Sequence, residues 1–259
     1  MIVLGRQLDF VILLLFWVLV VWIYDRLKKG WTINIRKLAG LEALEEAVGR
    51  AAEMGKPVHV TTGLGGLTGT WAPLKLAGLA VFAEVARLCA KYDVPVIYSC
   101  YSHTVMPLAQ ELYRQAFLAE GKPEKARPEE AIRYLSSSQF AYAAAVQGIA
   151  ERERPAANIM VGPFYAESLI FAETFFRIGA IQIAGTARAY QIPFFAIVAD
   201  YVLIGEECYA AGAYLTRDPA QTSSLFVQDL GKLFALIFGL LGALLYSAGS
   251  TAILDFLKW

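Results

Sequence analysis

The chain has 259 residues with a mean hydropathy of +0.48, and 57% of its residues are hydrophobic. Soluble domains contain about 45–50% apolar residues, so this composition excludes an ordinary soluble protein. With 23 basic and 23 acidic residues the formal net charge is zero, and no long-range field draws nucleic acid to the chain. We therefore expect no nucleic-acid partner.

Two uncharged apolar runs account for the excess, one near each end of the chain. Residues 233–254 form the longer run, which can cross a hydrocarbon core about 30 Å thick. Residues 10–24 reach a spanning length only when extended back to Ile2, which includes Arg6 and Asp9. A cleaved signal peptide is the alternative for this first run. No basic cluster precedes it and no small-residue cleavage site follows it, which favours a retained anchor.

Basic residues predict the orientation of these anchors. Only Arg6 precedes the first run, whereas a cluster follows it, formed by Arg26, Lys28, Lys29, Arg36 and Lys37. The positive-inside rule places that side in the cytoplasm, so both termini are expected outside. We predict an anchor at residues 1–25, a cytoplasmic domain at 31–230 and a transmembrane helix at 232–255, with the lipid bilayer as a partner. An odd number of cysteines in no metal or redox spacing fits a reducing compartment.

Between the anchors, short apolar runs rich in β-branched residues alternate with longer amphipathic runs. The apolar runs predict strands at Val58–Thr62, Val96–Ser99, Asn158–Gly162, Ala180–Ala184 and Pro193–Ala199. The amphipathic runs predict helices at 31–54, Ala72–Tyr92, Met106–Glu120, 136–152, Ala166–Ile178 and Glu206–Leu215, with polar segments at Arg127–Leu135 and Thr216–Asp229. This alternation predicts one α/β domain, with a mostly parallel Rossmann-like sheet and helices on both faces.

A glycine-dense loop follows the first predicted strand and leads into a helix. It contains Gly63, Gly65, Gly66 and Gly69, and such an arrangement can direct backbone N–H groups and a helix N-terminus at a phosphate or carboxylate. The loop lacks the Gly-Lys-Ser/Thr of a Walker loop, and Thr68 stands where a dinucleotide fingerprint needs its third glycine. The alternative is that the glycines allow a tight turn and close backbone packing.

Ligands of open α/β sheets bind beyond the carboxyl ends of the strands, so we expect a candidate ligand-binding set there. Its members are Thr62, Gly63, Gly65, Gly66, Gly69, His103, Glu167, Thr186, Arg188 and Asp200. Asp200 is expected to end the fifth strand, where a carboxylate needs a partner, and Arg188 is the candidate partner. His103 is a candidate base or metal ligand, or else a hydrogen-bonded loop residue. Glu167 is explained equally by the dipole of a helix.

The remaining carboxylates and histidines show no spacing that identifies a reaction. Glu173, Glu206 and Glu207 could supply oxygen ligands for Mg²⁺ or Ca²⁺, but their spacing is not diagnostic. Neither a Gly-x-Ser-x-Gly elbow nor a His-Glu-x-x-His motif occurs in the sequence. We therefore predict no metal site, and the cofactor, the catalytic residues and the question of whether the chain is an enzyme stay open.

Six short segments carry a family resemblance. They are Ala77–Leu79, Gln139–Ala144, Ala166–Leu169, Gln182–Thr186, Ala199–Tyr201 and Ile204–Glu207. These segments resemble an uncharacterised family of prokaryotic membrane proteins described as a domain of unknown function. The resemblance covers about residues 57–232 and implies a transmembrane helix on each side of a Rossmann-like domain. It implies no activity and no catalytic residue.

For function, these observations favour a homo-oligomeric scaffold or a subunit of a membrane assembly, with other membrane-complex subunits as further partners. The helices carry more apolar surface than one domain readily buries, and Ala235, Gly239 and Ala243 form a small-residue face in the second span. The alternative is an enzyme or sensor that binds a phosphorylated or nucleotide-like ligand at the loop Gly63–Gly69. A transporter or channel component is a third hypothesis, and neither span has a mid-membrane charge to support it.

Overall fold

The computed structural model describes residues 7–251. The predictions that fall on residues 1–6, including Arg6, and on residues 252–259, including the end of the second span, lie outside the described residues. The chain divides into two compact units. We call residues 36–215 the α/β unit, and the segments before residue 36 and after residue 215 the helical unit.

The α/β unit is built on a sheet of six parallel strands. The strands are β1 (Val58–Thr61), β2 (Val96–Cys100), β3 (Ile132–Tyr134), β4 (Ala157–Val161), β5 (Ile181–Thr186) and β6 (Tyr201–Ile204). Their order in the sheet is β3-β2-β1-β4-β5-β6, and every neighbouring pair is parallel. Every residue of β1, β2, β4 and β5 is buried, because helices cover the sheet. The predicted Rossmann-like α/β fold is confirmed.

Helices connect the strands and flank the sheet. Their bounds are α1 (Gln7–Lys28), α2 (Ala39–Met54), α3 (Ala72–Tyr92), α4 (Met106–Ala119), α5 (Pro128–Ala131), α6 (Gln139–Glu153), α7 (Glu167–Arg177), α8 (Ile192–Val198), α9 (Glu206–Thr216) and α10 (Pro219–Ser247), with a 3-10 turn at Pro123–Lys125. Helices α2, α3 and α4 pack in series, and so do α6, α7 and α8. In this strand order the right-handed crossovers place the two series on opposite faces of the sheet.

The fifth predicted strand is wrong. Residues 193–198 form most of helix α8, with Pro193 in its first turn and Ala199 just after its end, and the sixth strand follows at Tyr201–Ile204. A short apolar run has the same composition in a buried strand and in a short helix, and proline at the first helical position favours the helix. Asp200 consequently precedes an edge strand instead of ending a central one.

Two segments predicted as polar connections are also structured. Residues 127–135 contain α5 and the three-residue edge strand β3, in which only Ile132 is buried. The connector after Thr216 is largely the start of α10, whose N-cap residue Asp218 accepts a hydrogen bond from the backbone N–H of Gln221 at 3.1 Å. A strand this short and a polar first helical turn both lack the apolar periodicity that identifies an element.

A chain of polar side chains crosses four strands of the buried sheet. Ser99 Oγ lies 2.7 Å from His59 Nε2, and His59 Nδ1 lies 2.8 Å from Asn158 Oδ1. Asn158 Nδ2 donates to Gln182 Oε1 at 3.1 Å, and Gln182 Nε2 donates to two backbone carbonyls. Since the Asn158 oxygen faces the ring, His59 carries its proton on Nδ1 and accepts from the Ser99 hydroxyl on Nε2. The chain therefore fixes the tautomer of His59.

The helical unit contains α1 and α10, and both are long and apolar enough to span a membrane. Their side chains contact each other: a Cβ atom on Gly231 would lie 2.9 Å from the ring of Phe16, so the absence of a side chain permits this close approach. After the end of α1, the ring of Trp31 packs edge-on against Phe226 with 5.6 Å between ring centroids. The structure thus contains two candidate spans, and the second helix ends at Ser247, before the predicted end of the span at residue 255.

Candidate functional site

The loops that follow β1 and β4 meet at the carboxyl edge of the sheet. A Cβ atom on Gly63, whose φ is +70°, would lie 2.3 Å from Pro163 O, and one on Gly162 would lie 2.2 Å from Thr62 O. The backbone N–H of Leu64 donates to Pro163 O at 2.9 Å. Both glycines are therefore required by backbone-to-backbone packing, which is the structural alternative considered for this loop. Close packing does not account for Gly65 and Gly69, since no described atom lies within 4 Å of a Cβ built on either residue.

Lys75, in the first turns of α3, is a buried cation that the sequence analysis missed. Its Nζ donates to Thr62 O at 2.8 Å, to Gly63 O at 2.6 Å and to Thr62 Oγ1 at 3.3 Å, and the residue is 1% exposed. Burial removes the Lys75 ammonium from water and lowers its pKa from 10.5 to about 7. Lys75 anchors the start of the glycine loop. A lysine within the apolar run Leu74–Leu79 was the available signal.

Arg188 follows the end of β5, and its buried guanidinium lies against three aromatic rings. Its Cζ lies 3.4 Å from the ring centroid of Tyr165, 4.6 Å from that of Trp71 and 4.7 Å from that of Tyr190. The residue is only 7% exposed. Nε and Nη1 of this guanidinium are buried and have no hydrogen-bond partner among the residues that the structure describes. A buried N–H without an acceptor costs free energy, so a ligand oxygen that accepts from these two atoms would be stabilising.

Glu167 and Thr186 hold the segments on either side of this guanidinium. Glu167 Oε1 accepts from the backbone N–H of Tyr165 at 2.9 Å, and Oε2 accepts from Gln139 Nε2 at 2.7 Å. Burial raises the pKa of the Glu167 carboxyl, although these hydrogen bonds and the charge of Arg188 oppose the shift. Thr186 Oγ1 accepts from the backbone N–H of Arg188 at 3.3 Å. Both residues therefore position the Arg188–Tyr165 stack.

His103 and Gly66 lie on the rim of the same edge. His103 is exposed in the loop after β2, and its ring contacts Tyr134 edge-on with centroids 6.4 Å apart. A Cβ on Gly66 would lie 3.2 Å from Thr104 Oγ1, so the glycine loop borders the β2 loop. Among the described residues, no contact joins His103 to Arg188. His103 lies in a loop, as its structural alternative expects, but the described residues give its ring no hydrogen bond.

Asp200 lies at the opposite edge of the sheet. Its Oδ2 accepts from the backbone N–H of Gln182 at 2.8 Å, and Gln182 is the second residue of β5. Arg188 lies beyond Thr186, which is four residues further along the strand and thus about 13 Å away. The expected pairing of Asp200 with Arg188 is therefore wrong, because Asp200 begins an edge strand at the amino edge of the sheet.

The buried chain of Ser99, His59 and Asn158 has the connectivity of a nucleophile, a base and an orienting group. These three residues are at most 1% exposed, so a substrate has no access to the hydroxyl of Ser99. Burial also lowers the pKa of His59 to about 4. Within residues 7–251, no group of three or more histidine, cysteine, aspartate or glutamate residues could hold a metal ion. The arrangement therefore acts within the core, and the edge around Arg188 remains the candidate site.

Comparisons with known proteins give a family but no activity. Neither the curated proteins nor the solved structures contain a match to this chain. The family model described as "Domain of unknown function (DUF6754)" matches residues 1–257, which is nearly the whole chain. The match agrees with the family resemblance of the short segments described above. The chain therefore belongs to the family described as domain of unknown function DUF6754.

Proposed function

We propose that this chain is a membrane-anchored protein whose α/β unit binds a small anionic ligand at the carboxyl edge of the sheet. The observation that carries the proposal is the buried guanidinium of Arg188, whose Nε and Nη1 lack an acceptor. A phosphate or carboxylate group supplies the oxygen acceptors that a guanidinium matches best. The ligand class is phosphorylated or nucleotide-like, and the proposal assigns binding and no reaction.

The charges near the site support an anion. Arg188 is a cation at this edge, and Lys75 is one below its pKa of about 7. The charge of Glu167 interacts with both, but its oxygens already accept hydrogen bonds from Tyr165 and Gln139. Lys75 donates only to uncharged oxygens in the bonds that the structure gives. A desolvated guanidinium, next to a carboxylate whose oxygens already have donors, favours an anionic ligand over a neutral one.

The three aromatic rings hold Arg188 ready for such a guest. Guanidinium stacking on Tyr165, Trp71 and Tyr190 fixes the plane of the side chain, so little conformational entropy is lost on binding. Tyr190 is 53% exposed and Tyr165 is 37% exposed. These open ring faces could stack on a flat group of a nucleotide-like ligand next to its phosphate.

A thermal-shift titration of the full-length protein in mild detergent tests the proposal. The probes are inorganic phosphate, pyrophosphate and adenosine monophosphate. We expect at least one to raise the melting temperature, since saturation at about 100 times the dissociation constant adds about 2.7 kcal/mol. Arg188→Met should abolish the shift. Arg177→Met is the matched control, because Arg177 is exposed and, in the part of the chain that the structure describes, forms its ion pair with Glu173 four residues earlier. An unchanged shift in Arg188→Met would contradict the proposal.

The anchoring part of the proposal rests on α1 and α10. Both helices are long enough and apolar enough to span a membrane, and a basic cluster lies at the end of α1 and just after it. On this basis the α/β unit is cytoplasmic and both termini are outside. A single cysteine introduced at exposed Glu53 on α2, with the three native cysteines buried, provides the test. In intact cells an impermeant maleimide should leave it unlabelled and should label it after lysis; labelling of intact cells would reverse the orientation.

A homo-oligomeric scaffold or membrane-complex subunit is the second candidate function. Exposed aromatic side chains favour it: Phe140 on α6 is 64% exposed and Phe176 on α7 is 67% exposed. In the helical unit, Ala235, Gly239 and Ala243 are all exposed on α10. Apolar patches and small-residue faces of this kind suit subunit contacts. The native mass in mild detergent should exceed that of a monomer, and a monomeric species would contradict this candidate.

A further inference from the structure

A basic and aromatic pocket lies at the end of α1 within the helical unit. Its volume is about 310 Å³, and its lining residues are Trp22, Arg26, Lys29 and Trp31. Arg26 Cζ lies 5.2 Å from the ring of Trp22, and the backbone N–H of Trp31 donates to Arg26 O at 3.1 Å. Tryptophan and basic residues next to an apolar span are typical of the membrane–water interface.

The pocket carries an unpaired positive charge. Lys29 forms an ion pair with Asp25 one turn earlier. Arg26 has no carboxylate within ion-pair distance among the described residues, and its guanidinium stacks on the ring of Trp22. The pocket therefore presents one guanidinium whose N–H groups are free to meet an anion, next to an ammonium that is already neutralised.

A second cavity, an apolar groove, lies nearer the start of α1 and on the same face of the helix. The groove has a volume of about 410 Å³ and is lined on α1 by Val11, Ile12, Leu15, Phe16 and Leu19, and on α10 by Leu230, Leu233, Phe234 and Ile237. Val11, Leu15, Leu19, Trp22, Arg26 and Lys29 follow one another at intervals of three or four residues. Residues at these intervals share one face of a helix.

The length of this face matches one leaflet. Leu15 and Arg26 are separated by about 17 Å of helix at a rise of about 1.5 Å per residue. Half of a hydrocarbon core is about 15 Å. An apolar groove and a cationic pocket at this spacing on one helix face match the polarity of a phospholipid, whose acyl chain and headgroup lie at a similar distance.

We propose that the helical unit binds one anionic phospholipid, with an acyl chain in the groove between α1 and α10 and the headgroup phosphate at Arg26. The inference rests on the anchoring part of the proposed function and is independent of the anion at Arg188. Charge complementarity selects an anionic headgroup, since Arg26 is the cation that a phosphate would neutralise. The groove selects a lipid over a free phosphate, because its lining residues are all apolar.

The test measures lipids retained by the full-length protein in native mass spectra. The protein is reconstituted in nanodiscs of phosphatidylcholine with phosphatidylglycerol and then released into mild detergent. Recovery in the membrane fraction is checked first, so that a failure of anchoring is recognised separately. We expect one phosphatidylglycerol to be retained in preference to phosphatidylcholine, and Arg26→Gln to reduce this preference about five- to tenfold.

Two matched controls make the result specific. Lys28→Gln removes the same charge from the same helix end, but Lys28 does not line the pocket, so the preference should persist. Leu15→Trp fills the groove and should reduce retention even if Arg26→Gln is poorly produced, whereas Leu14→Trp, on another face, should not. Equal losses in Arg26→Gln and Lys28→Gln would show general surface attraction and overturn the site. Displacement of the lipid by inorganic phosphate, or retention unchanged by every variant, would also overturn it.

Discussion

Two clusters of buried polar groups in the α/β unit differ in whether their hydrogen bonds are complete. The chain from Ser99 through His59 and Asn158 to Gln182 ends on backbone carbonyls, and each link is between 2.7 and 3.1 Å. At the carboxyl edge, Arg188 is equally enclosed, but two of its nitrogens have no acceptor among the described residues. A complete network contributes to the fold, whereas for the incomplete one we propose that a bound ligand supplies the missing acceptors.

The largest expected effect comes from breaking the complete network. Asn158→Leu removes the acceptor of His59 Nδ1 and the donor to Gln182 Oε1, so both groups remain buried without partners. We expect a loss of about 4 kcal/mol in the free energy of unfolding, at about 1–3 kcal/mol for each orphaned group. Urea titration of the full-length protein in mild detergent measures it. Gln115→Leu, at an exposed amide on α4, is the control and should change little.

The complete network should also make stability depend on pH. Burial lowers the pKa of His59 from 6.5 to about 4. At a pH between these two values, His59 is protonated in the unfolded chain and neutral in the folded chain. Stability should therefore fall as pH decreases from about 6.5 to about 4 and level off below, by about 3 kcal/mol in total. The slope should be absent in His59→Gln, measured by urea titration at each pH. The same slope in both proteins would contradict the role of His59.

Arg188→Met should affect binding far more than stability. Loss of the stacking on three rings is offset by removal of a desolvated cation, so the free energy of unfolding should change by less than about 1 kcal/mol. Binding of a phosphate probe should be lost at the same time, as measured by isothermal titration calorimetry. A destabilisation as large as that of Asn158→Leu would instead assign Arg188 to the fold and remove the contrast between the two clusters.

The smallest effect on stability is expected at the exposed aromatic side chains. Phe140→Ser should change the free energy of unfolding by less than about 0.5 kcal/mol, because 64% of the side chain is already exposed. If the scaffold function holds, the native mass in mild detergent should decrease. Leu118→Ser, at an equally exposed position on α4, is the matched control. A native mass that is the same in all three proteins would remove Phe140 from any subunit contact.

The sequence predicted the parts of the fold that depend on long apolar runs. The predictions at 58–62, 96–99, 158–162 and 180–184 match β1, β2, β4 and β5 to within two residues, because short buried runs dominated by apolar and β-branched residues suit a sheet covered on both faces. Residues 193–199 were assigned wrongly, since a seven-residue apolar segment has no length or period that separates strand from helix. The edge strand at Ile132–Tyr134 is too short to show an alternation.

The candidate site was predictable in position and not in its interactions. Arg188 and Thr186 follow a strand, so topology alone brings them to the carboxyl edge. That Arg188 stacks on Trp71, Tyr165 and Tyr190 depends on loops from three different parts of the chain, which no local pattern encodes. Lys75 was missed for the same reason: its acceptors are backbone carbonyls, which every residue has.

The most direct test of the central claim is a native mass spectrum of the full-length protein beside that of Arg188→Met, both purified in mild detergent. The account predicts that the wild-type protein retains a small anion, supplied as pyrophosphate if none copurifies, in a one-to-one ratio to the chain. The variant should lose that anion while keeping its bound lipid. Retention by both proteins, or by neither in the presence of saturating pyrophosphate, would contradict the assignment of the incomplete cluster to a ligand.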